Sequence, residues 1–240
     1  MKICILGATG NSGRRLLRQA LDRGHQVTAV ARRGGTPLEV GHENLVVETV
    51  DYTDDQSLQD TMRGQDAVLN AAGYLSDPSF PAVVGAAIRA AEAALGPGGR
   101  FWMFAGAALL DVPDTSTMTV DLPKIPSIYQ AHRTNYETVR GTRLDWSILC
   151  PGPMIASPDG QETEGLILSK DIWPVPRPAY TRFLPRIALS LAFKNKLPRL
   201  TIYYEDAAKV VLENLDRNGR FTRSRVGIAL PEGIQRHKES

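Results

Sequence analysis

Short apolar runs recur along the first 150 residues of the chain. They do not alternate apolar and polar positions, and the first of them is closed by Gly7. Continuous apolar runs of this length are typical of strands that are buried on both faces of a parallel sheet. The predicted strands are residues 2–6, 27–31, 45–50, 67–69, 101–104 and 146–150.

Amphipathic stretches separate these runs and predict helices. In the first stretch, Leu16, Leu17, Ala20 and Leu21 repeat at helical spacing, and Gly24 provides a stop. The predicted helices are residues 11–23, 53–62, 81–95, 127–141 and 205–215.

Two of these helices begin with a capping signal. Thr53 is followed three residues later by Gln56, and Ser127 by Gln130, which is the spacing of a capping box. Buried strands that alternate with amphipathic helices predict an α/β fold, and right-handed crossovers make it a doubly wound parallel sheet.

The pattern changes after Cys150. Seven prolines between residues 151 and 185 are expected to interrupt any long element. We therefore predict one domain over residues 1–240, in which residues 151–200 form a small, loop-rich C-terminal cap over the sheet. Residues 225–230 are predicted to form a last strand.

Composition and charge exclude several classes of protein. With 42% hydrophobic and 22% charged residues, the chain is expected to be globular, and a net charge of +2 without long runs of one sign argues against nucleic acid as a partner. The longest apolar stretch, residues 101–110, is too short to span a membrane. The first residues predict a strand and not a signal peptide, so we expect a cytoplasmic protein.

The cysteines and histidines do not predict a metal or redox site. Cys4 and Cys150 both lie in apolar runs and are expected to be buried as small hydrophobic residues. The four histidines are scattered along the chain without the spacing of metal ligands, so we predict no metal.

A glycine-rich turn follows the first predicted strand and opens the first predicted helix. In such a turn the first glycine permits a tight bend, the second lets the backbone approach a pyrophosphate, and the third lets the helix pack on the strand. Free N–H groups at the helix start, together with the helix dipole, then face the phosphates. The alternative is a tight turn without a ligand. The predicted cofactor-binding residues of the turn are Gly7, Thr9, Gly10, Asn11, Ser12 and Gly13.

Two arginines indicate which dinucleotide is bound. In proteins that bind NAD, an acidic residue about 20 positions past the glycines accepts a hydrogen bond from the adenine ribose. Here the second strand ends in Arg32 and Arg33, and no carboxylate follows before Glu39. Because a guanidinium can bind a 2′-phosphate with two hydrogen bonds, NADP is predicted over NAD. The alternative is a pair of solvated arginines on a loop.

The glycine turn resembles that of the short-chain dehydrogenase/reductase superfamily, in its extended and atypical branches. Four later segments continue the resemblance, particularly to NmrA-like and flavin/biliverdin-reductase-like members. These segments are residues 50–54, 70–73, 144–153 and 204–208.

The resemblance implies a Rossmann fold and assigns further cofactor contacts. Asp51, with Tyr52 beside it, corresponds to the segment that contacts the adenine. The Asn-Ala-Ala-Gly segment after the fourth strand corresponds to the one that lines the ribose and the nicotinamide. These residues are Asn70, Ala71, Ala72 and Gly73.

The residues that usually carry catalysis in this superfamily are a serine after the fifth strand and a Tyr-x-x-x-Lys on the next helix. Here no serine follows the fifth strand, and Arg133 stands where the lysine is expected, four residues after Tyr129. Arginine keeps its charge, so Arg133 is predicted to bridge ribose hydroxyls without shuttling a proton. Tyr129 and His132 are the candidate catalytic residues. The alternative is a helix surface covered by the cap, with no part in the chemistry.

Three functional hypotheses follow. The first is an NADPH-dependent reductase that transfers a hydride to a flat, conjugated small-molecule acceptor such as a flavin or quinone. The second is a non-enzymatic NAD(P) sensor of the NmrA-like type, which would have a protein partner. The third is a sugar or flavonoid reductase/epimerase, which the missing serine and lysine disfavour.

The acceptor would lie under the cap. Trp173, Met154 and Tyr180 are expected to form an apolar wall against it, or else to belong to the core.

Overall fold

A computed structural model of the chain describes residues 1–32, 34, 38, 40–176 and 185–237. Strands and helices alternate in it as the hydrophobic pattern predicts. The elements of the first half are β1 (Lys2–Leu6), α1 (Asn11–Asp22), β2 (Gln26–Arg32), β3 (Leu45–Val50), α2 (Asp55–Met62), β4 (Ala67–Asn70), α3 (Phe80–Leu95) and β5 (Arg100–Phe104).

The second half adds five strands and three helices in the described residues. Three short 3-10 turns, including Ser127–Tyr129, lie between β5 and the next helix. The elements are α4 (Gln130–Arg140), β6 (Asp145–Cys150), β7 (Met154–Ile155), β8 (Ile167–Lys170), α5 (Arg186–Leu200), β9 (Ile202–Tyr203), α6 (Tyr204–Leu212) and β10 (Ser224–Ala229).

One large sheet organises the described part of the chain. Its eight strands run in the order β3-β2-β1-β4-β5-β6-β10-β8. All neighbours are parallel except β10 and β8, which pair antiparallel. The predicted doubly wound sheet is therefore confirmed, with β8 as an added antiparallel edge. The strands β7 and β9 form a separate parallel pair.

Helices cover both faces of the sheet. The helices α1 and α6 pack against each other on one face, where residues such as Leu16, Trp102 and Val211 form an apolar cluster. On the other face α2, α3 and α4 pack in sequence over a second cluster that includes Phe101 and Ile148. Burial of the sheet on both sides explains why its central strands are continuously apolar.

At the start of α4 the structure differs from the prediction, because Ser127 lies in a separate 3-10 turn and the helix begins at Gln130 without a side-chain cap. The strands β7, β8 and β9 were not predicted either.

Two further differences concern α2 and α5. The first turn of α2 is capped by Asp54, whose carboxylate accepts the N–H of Ser57 at 3.1 Å, and not by Thr53. The prediction that prolines interrupt any long element after Cys150 is wrong for α5, which is 15 residues long. Pro185 precedes that helix and Pro198 lies in its last turn, so few helical hydrogen bonds are lost.

No helix in the described ranges combines the length and the apolar character needed to cross a membrane.

Candidate functional site

The candidate site begins where the chain reverses direction across the sheet. β1 pairs with β2 on one side and with β4 on the other. The connection after β1 leads to β2 and the connection after β4 leads to β5, so the two leave toward opposite edges of the sheet. The carboxyl ends of such strands leave a crevice between their loops, which is where ligands bind in open α/β sheets. Here the loops are the glycine-rich turn after β1 and residues 70–73 after β4.

Two of the three glycines are required by the packing of the turn itself. Gly7 has a φ of +71°, and a Cβ on it would lie 2.7 Å from the Cα of Ala72. A Cβ on Gly13 would lie 2.0 Å from the carbonyl oxygen of Gly7. A Cβ on Gly10 would approach the protein no closer than 3.3 Å, at that same oxygen. The turn therefore closes on Gly7 and Gly13 and leaves Gly10 exposed at the crevice.

The turn presents backbone donors at the start of α1. The first helical hydrogen bond runs from the N–H of Arg14 to the carbonyl of Gly10, at 2.9 Å. The N–H groups of Asn11 and Ser12 precede it and have no acceptor among the described residues. With the helix dipole behind them, these donors suit an anion such as a pyrophosphate. Thr9 and Ser12 are half-buried beside them.

Tyr52 supports the turn from the end of β3. Its hydroxyl accepts the N–H of Gly7 at 2.8 Å, and the side chain is buried. Burial raises the pKa of Tyr52 to about 12, so the phenol stays protonated at neutral pH. Asp51 accepts hydrogen bonds from the N–H and hydroxyl of Thr53, at 2.9 and 2.7 Å. The contacts of Asp51 and Tyr52 with an adenine remain predictions.

Residues 70–73 form the opposite wall of the crevice. Asn70 is buried, and its side-chain oxygen accepts the N–H of Ala72 at 3.0 Å. Ala71 donates its N–H to the carbonyl of Leu6 at 3.0 Å, which ties the segment to β1. Gly73 is exposed at the end of the segment. The structure therefore brings this segment and the glycine-rich turn together, because β1 and β4 are neighbouring parallel strands.

Arg32 ends β2 at the same edge of the sheet. Its side chain is exposed and forms no ion pair within the part of the chain that the structure describes. Hydrogen bonds from Ser79 lower the pKa of Asp77, and the nearby charge of Arg32 lowers it further. Arg32 therefore lies within electrostatic range of the loop after β4. Arg33 lies outside the described residues.

A cavity of about 500 Å³ continues the site beyond the ends of β5 and β6. Its walls are mostly apolar and come from the loops after these strands, from the turn before α4, and from α5. The lining residues are Leu75, Ala105, Gly106, Ala107, Ala108, Ile125, Pro126, Tyr129, His132, Pro151, Gly152, Pro153, Phe193, Lys194 and Leu197.

Both candidate catalytic residues line this cavity. The rings of Tyr129 and His132 are stacked with centroids 6.2 Å apart. His132 is 8% exposed, and its Nδ1 atom has no hydrogen-bond partner among the described residues. Burial lowers the pKa of His132 to about 4, so the imidazole is neutral at pH 7. In a neutral imidazole one nitrogen donates a hydrogen bond and the other accepts one, and the ring cannot serve as a cationic acid.

The guanidinium of Arg133 is already paired with two carboxylates. Its guanidinium donates to the carboxylate of Asp121 and, at 3.1 Å, to that of Glu137. These partners raise the pKa of Arg133, with the Glu137 hydrogen bond contributing most. Its predicted contact with ribose hydroxyls stays a prediction, and such a contact would share the guanidinium with two carboxylates.

The two described residues of the expected apolar wall, Trp173 and Met154, do not line the cavity. Trp173 is buried, donates its indole N–H to the hydroxyl of Thr119 at 2.6 Å, and packs on Phe193 at 5.4 Å between ring centroids. Met154 packs against the apolar cluster on the α1 side of the sheet. Tyr180 lies outside the described residues.

Sequence reasoning missed the contribution of α5 to the cavity. Phe193, Lys194 and Leu197 come from this helix, which was predicted to be interrupted. A signal was present, because Leu189, Phe193 and Leu197 repeat every four residues, as on one face of a helix.

Comparison with known proteins places the chain in a family. The family model described as NAD(P)H-binding matches residues 7–172. An uncharacterized protein of Bacillus subtilis, YwnB, is 28% identical over 177 residues, which are 71% of this chain and 80% of that protein.

Solved structures share the fold over nearly the whole chain. A candidate epimerase from Bacteroides thetaiotaomicron has a TM-score of 0.73 and 23% identity, with 99% of each chain covered. A candidate NADH-flavin reductase from Streptococcus pneumoniae has a TM-score of 0.72 and 23% identity, with 96% of this chain and 100% of that chain covered. A wide-type short-chain dehydrogenase/reductase from Veillonella parvula in complex with NADP has a TM-score of 0.69 and 19% identity, with 100% and 98% covered.

Proposed function

This chain belongs to the NAD(P)H-binding family, and from that membership we propose that it is an NADPH-dependent oxidoreductase whose acceptor is a flat, conjugated small molecule. The observation that carries the proposal is the apolar cavity of about 500 Å³ beside the dinucleotide crevice. A cavity of this size is within the range of small-molecule sites.

The residues of the crevice fit a dinucleotide. The donors at the start of α1 follow Gly10 directly, and apart from its two chain neighbours no described side chain comes within 4 Å of the position that a Gly10 Cβ would take. Gly7, Gly10 and the N–H groups of Asn11 and Ser12 would hold the pyrophosphate. Asn70–Gly73 would line the ribose and nicotinamide end, which leads into the cavity.

Arg32 would distinguish NADPH from NADH. Its guanidinium is exposed and unpaired within the described ranges, so it is available to a 2′-phosphate. The Veillonella parvula neighbour is a complex with NADP, which is consistent with this preference.

The cavity would favour hydride transfer in two ways. It would hold the acceptor beside the nicotinamide, and its apolar walls would exclude water from the reacting atoms. When bound, the reduced nicotinamide supplies a hydride, and the acceptor takes one proton in addition. Tyr129 carries a hydroxyl in the cavity wall and is our candidate proton donor, resupplied from water. His132, which is neutral, would orient the acceptor or Tyr129. The Streptococcus pneumoniae neighbour, a candidate NADH-flavin reductase, supports an acceptor of this class.

A redox sensor is the second candidate function. Such a protein needs an exposed apolar surface for its partner. Ile187 and Leu191 of α5 are 51% and 61% exposed, on the same helix that lines the cavity. In this case the cofactor would bind without turnover.

One assay separates the two candidates. The purified protein is mixed with NADPH and with flavins, quinones or triphenylmethane dyes in turn, and the nicotinamide absorbance is followed. The oxidoreductase predicts acceptor-dependent NADPH oxidation. Tight NADPH binding without turnover on any acceptor would overturn it and favour the sensor.

A further inference from the structure

Among the described residues that line the cavity, Lys194 is the one that is charged. The others are apolar or carry uncharged polar groups, and burial keeps His132 neutral at pH 7. None of these lining residues is acidic. The described wall is therefore mostly apolar, with one positive position on α5.

No carboxylate in the described part of the chain pairs with the ammonium of Lys194. The nearby Lys196 differs, since its ammonium donates to the carbonyl of Pro176 at 2.6 Å. An ammonium at the edge of an apolar surface gains more from an entering anion than one that already has a partner.

The helix that carries Lys194 is firmly placed. The hydroxyl of Ser190 donates to the carbonyl of Pro123, and Arg186 donates to the carbonyl of Asp121 at 2.8 Å. At the other end of α5, Leu200 packs directly on Gly152, where a Cβ would lie 2.8 Å from the Leu200 Cβ. The backbone of Lys194 is thereby fixed relative to the loops after β5 and β6, while its long side chain can follow a ligand.

We propose that the acceptor carries an anionic group, such as a phosphate, sulfonate or carboxylate, and that Lys194 binds this group. This inference rests on the proposed function and narrows its substrate class. Phe193, Leu197 and the Pro151–Pro153 segment would cover the flat ring, and the ammonium would pair with the anion at the edge. An uncharged ring of the same shape would make the apolar contacts alone.

Matched pairs of ligands test the inference by binding. FMN and riboflavin share one ring system and differ by a phosphate, and naphthoquinone and its sulfonate differ by one anionic group. Dissociation constants are measured with NADP present, by quenching of fluorescence. The charged member of each pair is expected to bind about fivefold more tightly, and rising salt should reduce that difference.

Variants assign the preference to Lys194. Lys194→Gln should weaken binding of the charged ligands about fivefold and leave the uncharged ligands unchanged, while Lys194→Arg should keep the preference. Lys170→Gln is the matched control, because it removes the same charge from an exposed position on β8 that does not line the cavity. Equal binding within each pair, or equal effects of Lys194→Gln and Lys170→Gln, would overturn the inference.

Turnover separates this inference from the proposed function. If FMN binds more tightly than riboflavin but no acceptor supports NADPH oxidation, the proposal of an oxidoreductase is overturned. The preference for an anionic ligand then still stands. NADPH oxidation that is equal with FMN and riboflavin, and unchanged in Lys194→Gln, would overturn the anion preference alone. Failure of all four ligands to bind would overturn both.

Discussion

Arg32 is the side chain that we expect to set the preference for NADPH over NADH. It ends β2 at the rim of the crevice and is close enough to Asp77 to lower the pKa of that carboxyl, after the hydrogen bonds from Ser79. The guanidinium would meet the 2′-phosphate of NADPH, which NADH lacks. A charge-assisted, two-pronged hydrogen bond of this kind contributes about 1.5–3 kcal/mol.

We therefore expect Arg32→Ala to weaken NADPH binding by at least about tenfold and to leave NADH binding nearly unchanged. Titration calorimetry with both cofactors measures this. Arg63→Ala, which removes an exposed arginine paired with Asp60, is the control. An equal loss for both cofactors would show that Arg32 does not bind the 2′-phosphate.

His132 makes stability depend on pH. Burial lowers its pKa from 6.5 to about 4, so between these values the unfolded chain binds a proton that the folded protein does not. The free energy of unfolding should then fall as the pH drops from about 6.5 to about 4, by about 3 kcal/mol at most. Above pH 6.5 the contribution of His132 is constant.

The measurement is urea unfolding of the parent protein, His132→Gln and His42→Gln at pH 7 and pH 4.5. Carboxylates also titrate in this range, and the comparison with His132→Gln isolates the histidine. The exposed His42 serves as the control. The prediction is wrong if the stability difference between parent and His132→Gln is the same at both pH values.

At the scale of elements, the turn between β1 and α1 contains one glycine that the fold requires and another that we expect only cofactor binding to require. Gly13 lets α1 lie against the turn, because a Cβ there would be 2.0 Å from the Gly7 oxygen. Gly10 has a φ of −77°, which any residue can adopt, and its Cβ would meet that oxygen at 3.3 Å. The two glycines, three residues apart, therefore have different physical reasons to lack a side chain.

Gly13→Ala is expected to destabilise the fold by about 2 kcal/mol or more and to abolish NADPH binding, because α1 must shift. Gly10→Ala should cost about 1 kcal/mol or less and still weaken NADPH binding strongly, because the new methyl group occupies the phosphate position. Thermal unfolding and calorimetry on both variants test this. Unchanged binding in Gly10→Ala would mean that no phosphate approaches this glycine.

The helix α5 shows how prolines mislead an analysis of elements. The many prolines before residue 186 predict that the C-terminal cap region has no long helix. A 15-residue helix nevertheless follows Pro185. Proline is tolerated next to a helix start, because the first N–H groups of a helix have no helical partner. The four-residue repeat of Leu189, Phe193 and Leu197 was the stronger signal, and these residues cover the cavity or the core.

At the scale of the whole molecule, the crevice and the cavity lie along one edge of one sheet. β1, β4, β5 and β6 are consecutive neighbours, so their carboxyl ends place the glycine-rich turn, residues 70–73, Gly106 and Pro151 in order. A dinucleotide laid along this edge would contact loops from separate parts of the chain. Such a ligand binds only the folded protein and stabilises it as a unit.

We expect NADPH at one hundred times its dissociation constant to add about 2.7 kcal/mol to the free energy of unfolding. For a domain of this size that corresponds to a rise in melting temperature of about 5–10 °C. Thermal unfolding with NADPH, NADH and AMP measures it, with AMP as the weakly binding control. A shift no larger with NADPH than with AMP would contradict dinucleotide binding at this edge.

The sequence by itself determined the order of strands and helices as far as β6, the doubly wound sheet and the glycine-rich turn. These features depend on hydrophobic spacing and on contacts within a few residues, such as Gly7 with Gly13, which a linear pattern records. The resemblance to short-chain dehydrogenases/reductases pointed to residues 70–73 as well, and the structure places them beside the glycine-rich turn after a neighbouring strand.

Only the tertiary structure decided how individual side chains are used. The hydroxyl of Tyr52 reaches the Gly7 N–H across 45 positions of sequence, and α5 brings Lys194 to loops that lie more than 40 residues before it. Arg133 stands where a catalytic lysine is expected, but its guanidinium donates to the carboxylate of Asp121, which lies outside α4. Such pairings arise from how elements pack, since partners distant in sequence meet only when the sheet and its helices are assembled.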